Sequence, residues 1–249
     1  MIRLINAEFL KLRTTRTFYA FLAACALLVL LPTILICALA DITSDPIEPL
    51  LFFIGQLIQT FSLLIGILAA TTEFRHGTIT PSLLVVPNRI RLMTSKLLAA
   101  TLTGLAIGLF STVLIVVIVA VLGSARDFPT DELGRGGLIL GGTLVCGLYA
   151  ALGVGVGALV RNQVGAIVGA LVYVFVIEPL ATGLLSLSAA LDDILPKYSL
   201  GAVANWLVGV SPDDDVLLGR FPAGLLLALY AAIFVAAGMF MLRKRDITA

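Results

Sequence analysis

The chain has 249 residues, 60% of them hydrophobic and only 12% charged, with a mean hydropathy of +1.11. Soluble domains carry about 25% charged residues, so this composition excludes a fold whose main solvent is water. The net charge of +1 conceals a bias along the chain, and Cys25, Cys37 and Cys146 all fall inside apolar runs while the single histidine, His76, falls outside them, so neither a zinc site nor any other metal is expected.

Residues 1–17 place Ile2, Ile5, Phe9 and Leu12 on one helical stripe, with Arg3, Asn6 and Arg13 elsewhere. That pattern predicts an N-terminal amphipathic helix lying in the membrane interface. The apolar run 18–40 follows. Ala38-Leu39-Ala40 has the small-x-small form of a signal cleavage site, but the run exceeds the roughly 7–15 residues of a signal core and reads as a first span. Cys25 and Cys37 sit about 18 Å apart on that helix, too far to pair.

A bilayer core needs about 20 apolar helical residues. Five more such runs occur at 50–70, 97–122, 136–160, 164–185 and 222–242, and only Glu178 interrupts them with a charge. The expected fold is all-α: a single transmembrane domain over 1–249 with six helical spans. Glycine pairs at four-residue spacing, Gly104 and Gly108, Gly137 and Gly141, Gly153 and Gly157, Gly165 and Gly169, mark places where helices can approach closely.

The segments between spans alternate in charge. One side holds twelve basic residues, namely Arg3, Lys11, Arg13, Arg16, Arg75, Arg89, Arg91, Lys96, Arg161, Arg243, Lys244 and Arg245, against Glu8, Glu73 and Asp246. The other holds four basic residues, Arg126, Arg135, Lys197 and Arg220, and is rich in acids, with Asp213-Asp214-Asp215 reading as a solvated acidic turn after Pro212. Basic residues stay on the cytoplasmic side, so both termini are expected inside a plasma (inner) membrane.

Residues 71–96 form the longest cytoplasmic stretch. Thr80 reads as an N-cap and Pro81 as the first residue of a short helix, while Pro87 disfavours helical geometry at Val86 and ends it. A helix of about six residues is not stable alone, so something must pack on it. Glu73-Phe74-Arg75-x-Gly77-Thr78-Ile79, followed by Leu83, Leu84, Pro87, Arg89 and Lys96, resembles the segment between spans 2 and 3 in permease subunits of type-2 ATP-binding-cassette exporters. The basic amphipathic start, the six spans and the long outer segment at 186–221 fit the same family.

The resemblance implies that these residues couple the chain to an ATPase and that the short helix is the coupling helix. It also implies two ATPase subunits, which bind ATP and Mg, and two permease subunits, identical or not. In that family the outer segment between spans 5 and 6 forms short helices that cap the pathway. None of the four lysines, Lys11, Lys96, Lys197 and Lys244, follows a glycine as a phosphate-binding loop requires, so ATP hydrolysis is expected in the partner and neither a cofactor nor an enzyme activity in this chain. The bilayer is a partner; nucleic acid is not expected.

Glu178, followed by Pro179, lies about 22 Å up the fifth span from Val164. An intramembrane charge marks a functional site by default, while its place in the outer half favours a solvated or hydrogen-bonded structural role. The expected function is ATP-driven export. The alternative, an ion-coupled secondary transporter, calls for several intramembrane ionisable groups, and an intramembrane enzyme calls for a nucleophile with its base or metal-binding acids at membrane depth.

Overall fold

The computed structural model describes residues 2–14, 16–39, 48–124, 135–187, 196–209 and 219–244. Among them all regular structure is helical: α1 (Ile2–Thr14), α2 (Arg16–Leu39), α3 (Glu48–Arg75), α4 (Ile79–Val85), α5 (Arg89–Ser124), α6 (Arg135–Val160), α7 (Gln163–Val172), a π-helical turn (Tyr173–Ile177), α8 (Glu178–Leu185), a 3₁₀ turn (Pro196–Tyr198), α9 (Leu200–Val208) and α10 (Arg220–Lys244). Among the described residues five stretches are long and apolar enough to cross a membrane: Phe53–Arg75, Arg89–Val121, Gly136–Val160, Gln163–Leu185 and Arg220–Leu242. The expected first span is α2, whose apolar stretch among the described residues is the shorter Leu22–Leu35. Asp213, Asp214 and Asp215 lie outside the described residues.

Two boundaries differ from expectation. The second span does not stop at residue 70 but continues through Glu73, Phe74 and Arg75, and the third begins at Arg89 rather than at residue 97. Apolar content locates where a helix is buried in lipid, whereas its hydrogen bonds continue wherever the polar side chains find partners. Glu73 and Lys96 therefore lie inside helices as charges additional to Glu178.

The glycine-rich α6 is the hub, packed against α3, α5 and α10. A Cβ on Gly153 would collide with the Leu63 carbonyl of α3, and one on Gly66 with the Ala150 carbonyl of α6, so these two backbones are in direct contact. Gly104 and Gly108 seat α5 on α6 at Cys146 in the same way, and Gly137 and Gly141 lie under Arg220 and Leu207. Gly169 has open space around it, and the Gly165–Gly169 pair makes no helix crossing. Around this hub Tyr149, Val145, Ile67, Val203 and Leu227 are fully buried. By contrast α7, the π-helical turn and α8 leave a long apolar face uncovered, with Val168, Phe175, Val176, Leu180 and Leu184 exposed.

Candidate functional site

At one end of the bundle α3 stops, turns into α4, and restarts as α5. The stop is a glycine cap: the Thr78 amide donates to the Glu73 carbonyl at 3.0 Å, the Gly77 amide to the Phe74 carbonyl at 3.4 Å, and Gly77 takes φ 65°. This left-handed residue closes the last turn of α3 without the Cβ strain any other residue would bring. Helix α4 then starts at Ile79, one residue before the expected cap Thr80, with Thr78 at the N-cap position and no side-chain cap bond. Pro81 does not mark the first residue because none of the first three amides of a helix has an intrahelical acceptor, so proline is harmless at any of them. The helix ends as expected: Val86 has φ −127° and ψ 87°, ahead of Pro87. Asn88 restarts the chain, its Oδ1 accepting from the amides of Ile90 at 3.1 Å and Arg91 at 3.2 Å.

Helix α4 is anchored by Ile79, which is buried, while Leu84 is 80% exposed and Thr80, Pro81 and Pro87 face outward beside it. The side chain of Leu83 lies outside the described residues. Where the ends of α3 and α5 that flank α4 meet α1, there is a four-charge cluster. The Lys96 ammonium lies 2.9 Å from Glu73 Oε1 and 3.1 Å from Glu8 Oε2, and Lys11 lies 2.8 Å from Glu73 Oε1 and 2.9 Å from Glu8 Oε1. Lys96, Glu73 and Glu8 are buried, and Lys11 is half exposed. Burial works against the Lys11 charge, but hydrogen bonds to Glu73 and Glu8 outweigh it and hold its pKa above the ordinary lysine value. Two positive and two negative charges at contact distance let α1, α3 and α5 bury ions that none could bury alone.

Arg89, Arg161 and Arg75 are also committed to neighbours. Arg89 Nη1 donates to the Leu242 carbonyl at 3.0 Å and Arg161 Nη2 to the Met241 carbonyl at 3.1 Å, so both satisfy acceptors in the last turns of α10. The Arg161 guanidinium also lies 5.7 Å from the centroid of Phe74. Arg75 donates to Gln163 at 3.3 Å. The structure thus brings Glu73 and Lys96 together in one cluster, sets Phe74 on Arg161, and leaves Leu84 and Pro87 at the surface. Glu8, Lys11, Asn88 and Arg161 were not among the expected site residues.

At the opposite end, Glu178 is buried, not solvated. Its Oε1 accepts from the Gly201 amide at 2.6 Å, and the Ser199 hydroxyl and Leu200 amide face the same carboxylate. These groups form the N-terminus of α9, where Ser199 also caps the helix by accepting from Ala202 at 3.2 Å. A family model described as ABC-2 family transporter protein matches residues 4–177 of the chain. No curated protein matches it.

Proposed function

This chain belongs to the ABC-2 family of transporter proteins, as a permease subunit of a type-2 ATP-binding-cassette transporter, and from that premise we propose that it exports its substrate across the plasma membrane on energy from a separate ATPase. Glu73, Phe74, Arg75, Gly77, Thr78, Leu83, Leu84, Pro87, Arg89 and Lys96 form the coupling segment, with α4 as the element that docks. The observation carrying this reading is Leu84, a large apolar side chain 80% exposed at the tip of a helix tied to two spans. An apolar side chain so placed fits the centre of a protein contact.

In this reading Glu73 and Lys96 do not touch the ATPase; they weld α3 to α5 near the ends that flank α4. ATP and Mg are bound by the ATPase subunits, of which there are two. A second permease subunit, identical or different, covers the apolar face of α7 and α8. Both termini and α4 are cytoplasmic.

The test is co-purification of the ATPase with the full-length chain, together with substrate-stimulated ATP hydrolysis. Leu83→Asp combined with Leu84→Asp is expected to cut recovery of the ATPase to about a tenth or less, since a lost anchor with desolvated charges costs a few kcal/mol. Membrane insertion stays intact because no span is touched. Full recovery and full stimulation in the double variant would overturn the docking role of α4.

A further inference from the structure

Between α1, α2 and α5 runs an open groove of about 870 Å³, within the roughly 300–1,000 Å³ of sites that hold a small amphiphile. Cys25 and Ile107, both buried, form its floor, and Leu10 and Phe110, both exposed, its rim. The hydroxyls in its wall are already engaged: Thr103 donates to the Ala99 carbonyl at 2.8 Å, and Ser111 is hydrogen-bonded to Cys25. Asn6, exposed on α1, gives the groove a polar end, and from Phe9 onward its lining is apolar. Polarity therefore changes along the groove as it does along a lipid.

The depth matches as well. Glu8 of α1 meets Lys96 of α5 at 3.1 Å, so α1 crosses α5 at that level. Ser111, the lining residue farthest along α5, stands about 22 Å beyond Lys96 at 1.5 Å per residue. That is about one leaflet of a bilayer roughly 40–45 Å thick with its headgroups. Leu22–Leu35 of α2 and Arg89–Val121 of α5 are apolar stretches, so the groove opens onto hydrocarbon.

Charge sets the sign of the occupant. Glu8, Lys11, Glu73 and Lys96 cancel one another within their cluster. Arg3 and Arg13 of α1 and Arg16 at the start of α2 are then the net charge of the segment that forms the polar end. A second copy placed on this groove about a twofold axis would bring the same arginines to face them, and like charges would meet. An anionic headgroup is attracted instead.

We infer that the groove is a binding site for an anionic phospholipid of the leaflet in which α1 lies, with its acyl chains along Leu22, Ile107 and Phe110 and its phosphate at the Asn6 end. Seated there, the lipid fills the space between α1 and two spans and holds Glu8 and Lys11 to the junction of α3 and α5. That this leaflet is the cytoplasmic one rests on the transport reading; the binding does not.

The test uses the purified full-length chain in neutral detergent, titrated with dioleoyl phosphatidylglycerol or dioleoyl phosphatidylcholine. Lipid bound per chain is counted by native mass spectrometry, and thermal unfolding is followed in parallel. Phosphatidylglycerol is expected to be retained about tenfold better than phosphatidylcholine, and to raise the unfolding temperature where phosphatidylcholine does not. Arg3→Gln, Arg13→Gln and Arg16→Gln together should bring the preference to within about twofold. Ala23→Trp with Ala106→Trp fills the groove and should cut retention of phosphatidylglycerol about tenfold or more, whereas Leu229→Trp, on the exposed side of α10, should keep the parent's value.

Equal retention of the two lipids by the parent, an unchanged preference in the arginine variant, or full retention in the filled groove each overturns the site. So does a filled groove that splits a two-copy assembly while the lipid stays bound, since the groove is then an interface between copies. The arginine variant leaves the groove walls untouched, so its result stands even where the tryptophan pair disturbs the fold. Labelling of a cysteine at Asn88 from outside the cell would overturn the cytoplasmic leaflet and the transport orientation together, and the retention ratios would still judge the site.

Discussion

Lys96 has 3% of its surface exposed and faces two carboxylates. Lys96→Met should therefore leave Glu8 and Glu73 buried together with only the half-exposed Lys11 between them, at a cost of about 3–5 kcal/mol. Lys11→Met should cost about 1 kcal/mol or less, because solvent screens its pair. Thermal unfolding of the purified chain in detergent checks the order; equal losses would mean that the cluster does not carry the junction. With its pKa raised, Lys11 contributes its stabilisation fully below the ordinary value of 10.5 and loses it only as the pH rises beyond that. At this scale the sequence was only partly legible. Glu8 carried a signal, since it falls between Ile5, Phe9 and Leu12 on the apolar stripe of α1, where a charge needs a buried partner. Nothing local to Glu73 or Lys96 showed that they meet, because that contact is made by the crossing of three helices. Glu178 was legible as an intramembrane charge, but its partner lies on an element with no charge of its own.

For α4 the decisive feature is the turn that launches it. Gly77→Val puts a β-branched side chain at φ 65°, a strain of about 1–3 kcal/mol that the chain can relieve only by moving α4 off its axis. The expected outcome is loss of ATPase co-purification with normal insertion, while Gly77→Asn, which tolerates this backbone, keeps most of it. Equal behaviour of the two variants would mean that backbone geometry at Gly77 does not position the helix. The stop at Val86 and the existence of a short helix were readable from Pro87 and the surrounding polar residues. Its start was not, since Pro81 is compatible with several N-terminal positions. The lengths of α3 and α5 were underestimated for a related reason: a hydropathy run ends at the first charge, and these charges are neutralised inside the structure.

For the molecule as a whole, the charge bias predicts an orientation that labelling can check. Single cysteines at Ser44, Thr130 and Asp214 of a cysteine-free chain should react with an impermeant reagent on intact cells, and those at Asn88 and Thr248 should not. Reaction of Asn88 from outside would place α4 away from any cytoplasmic ATPase. The all-α, membrane-spanning architecture was legible because twenty-residue apolar runs permit little else. The central place of α6 was legible only in part: three of the four glycine pairs lie at crossings, but spacing alone does not say which neighbour each meets.

The buried cluster has a mechanical meaning for α5. A helix pinned at Lys96 is a lever with that residue as its fulcrum. The short arm, Arg89 to Lys96, is about 10 Å long, and the long arm, Lys96 to Ser124, about 42 Å at 1.5 Å per residue. If α4 transmits a push as proposed and α5 tilts as a rigid rod, a sideways displacement of 1 Å at the α4 end would sweep the far end of α5 by about 4 Å, trading force at one end of the bundle for travel at the other.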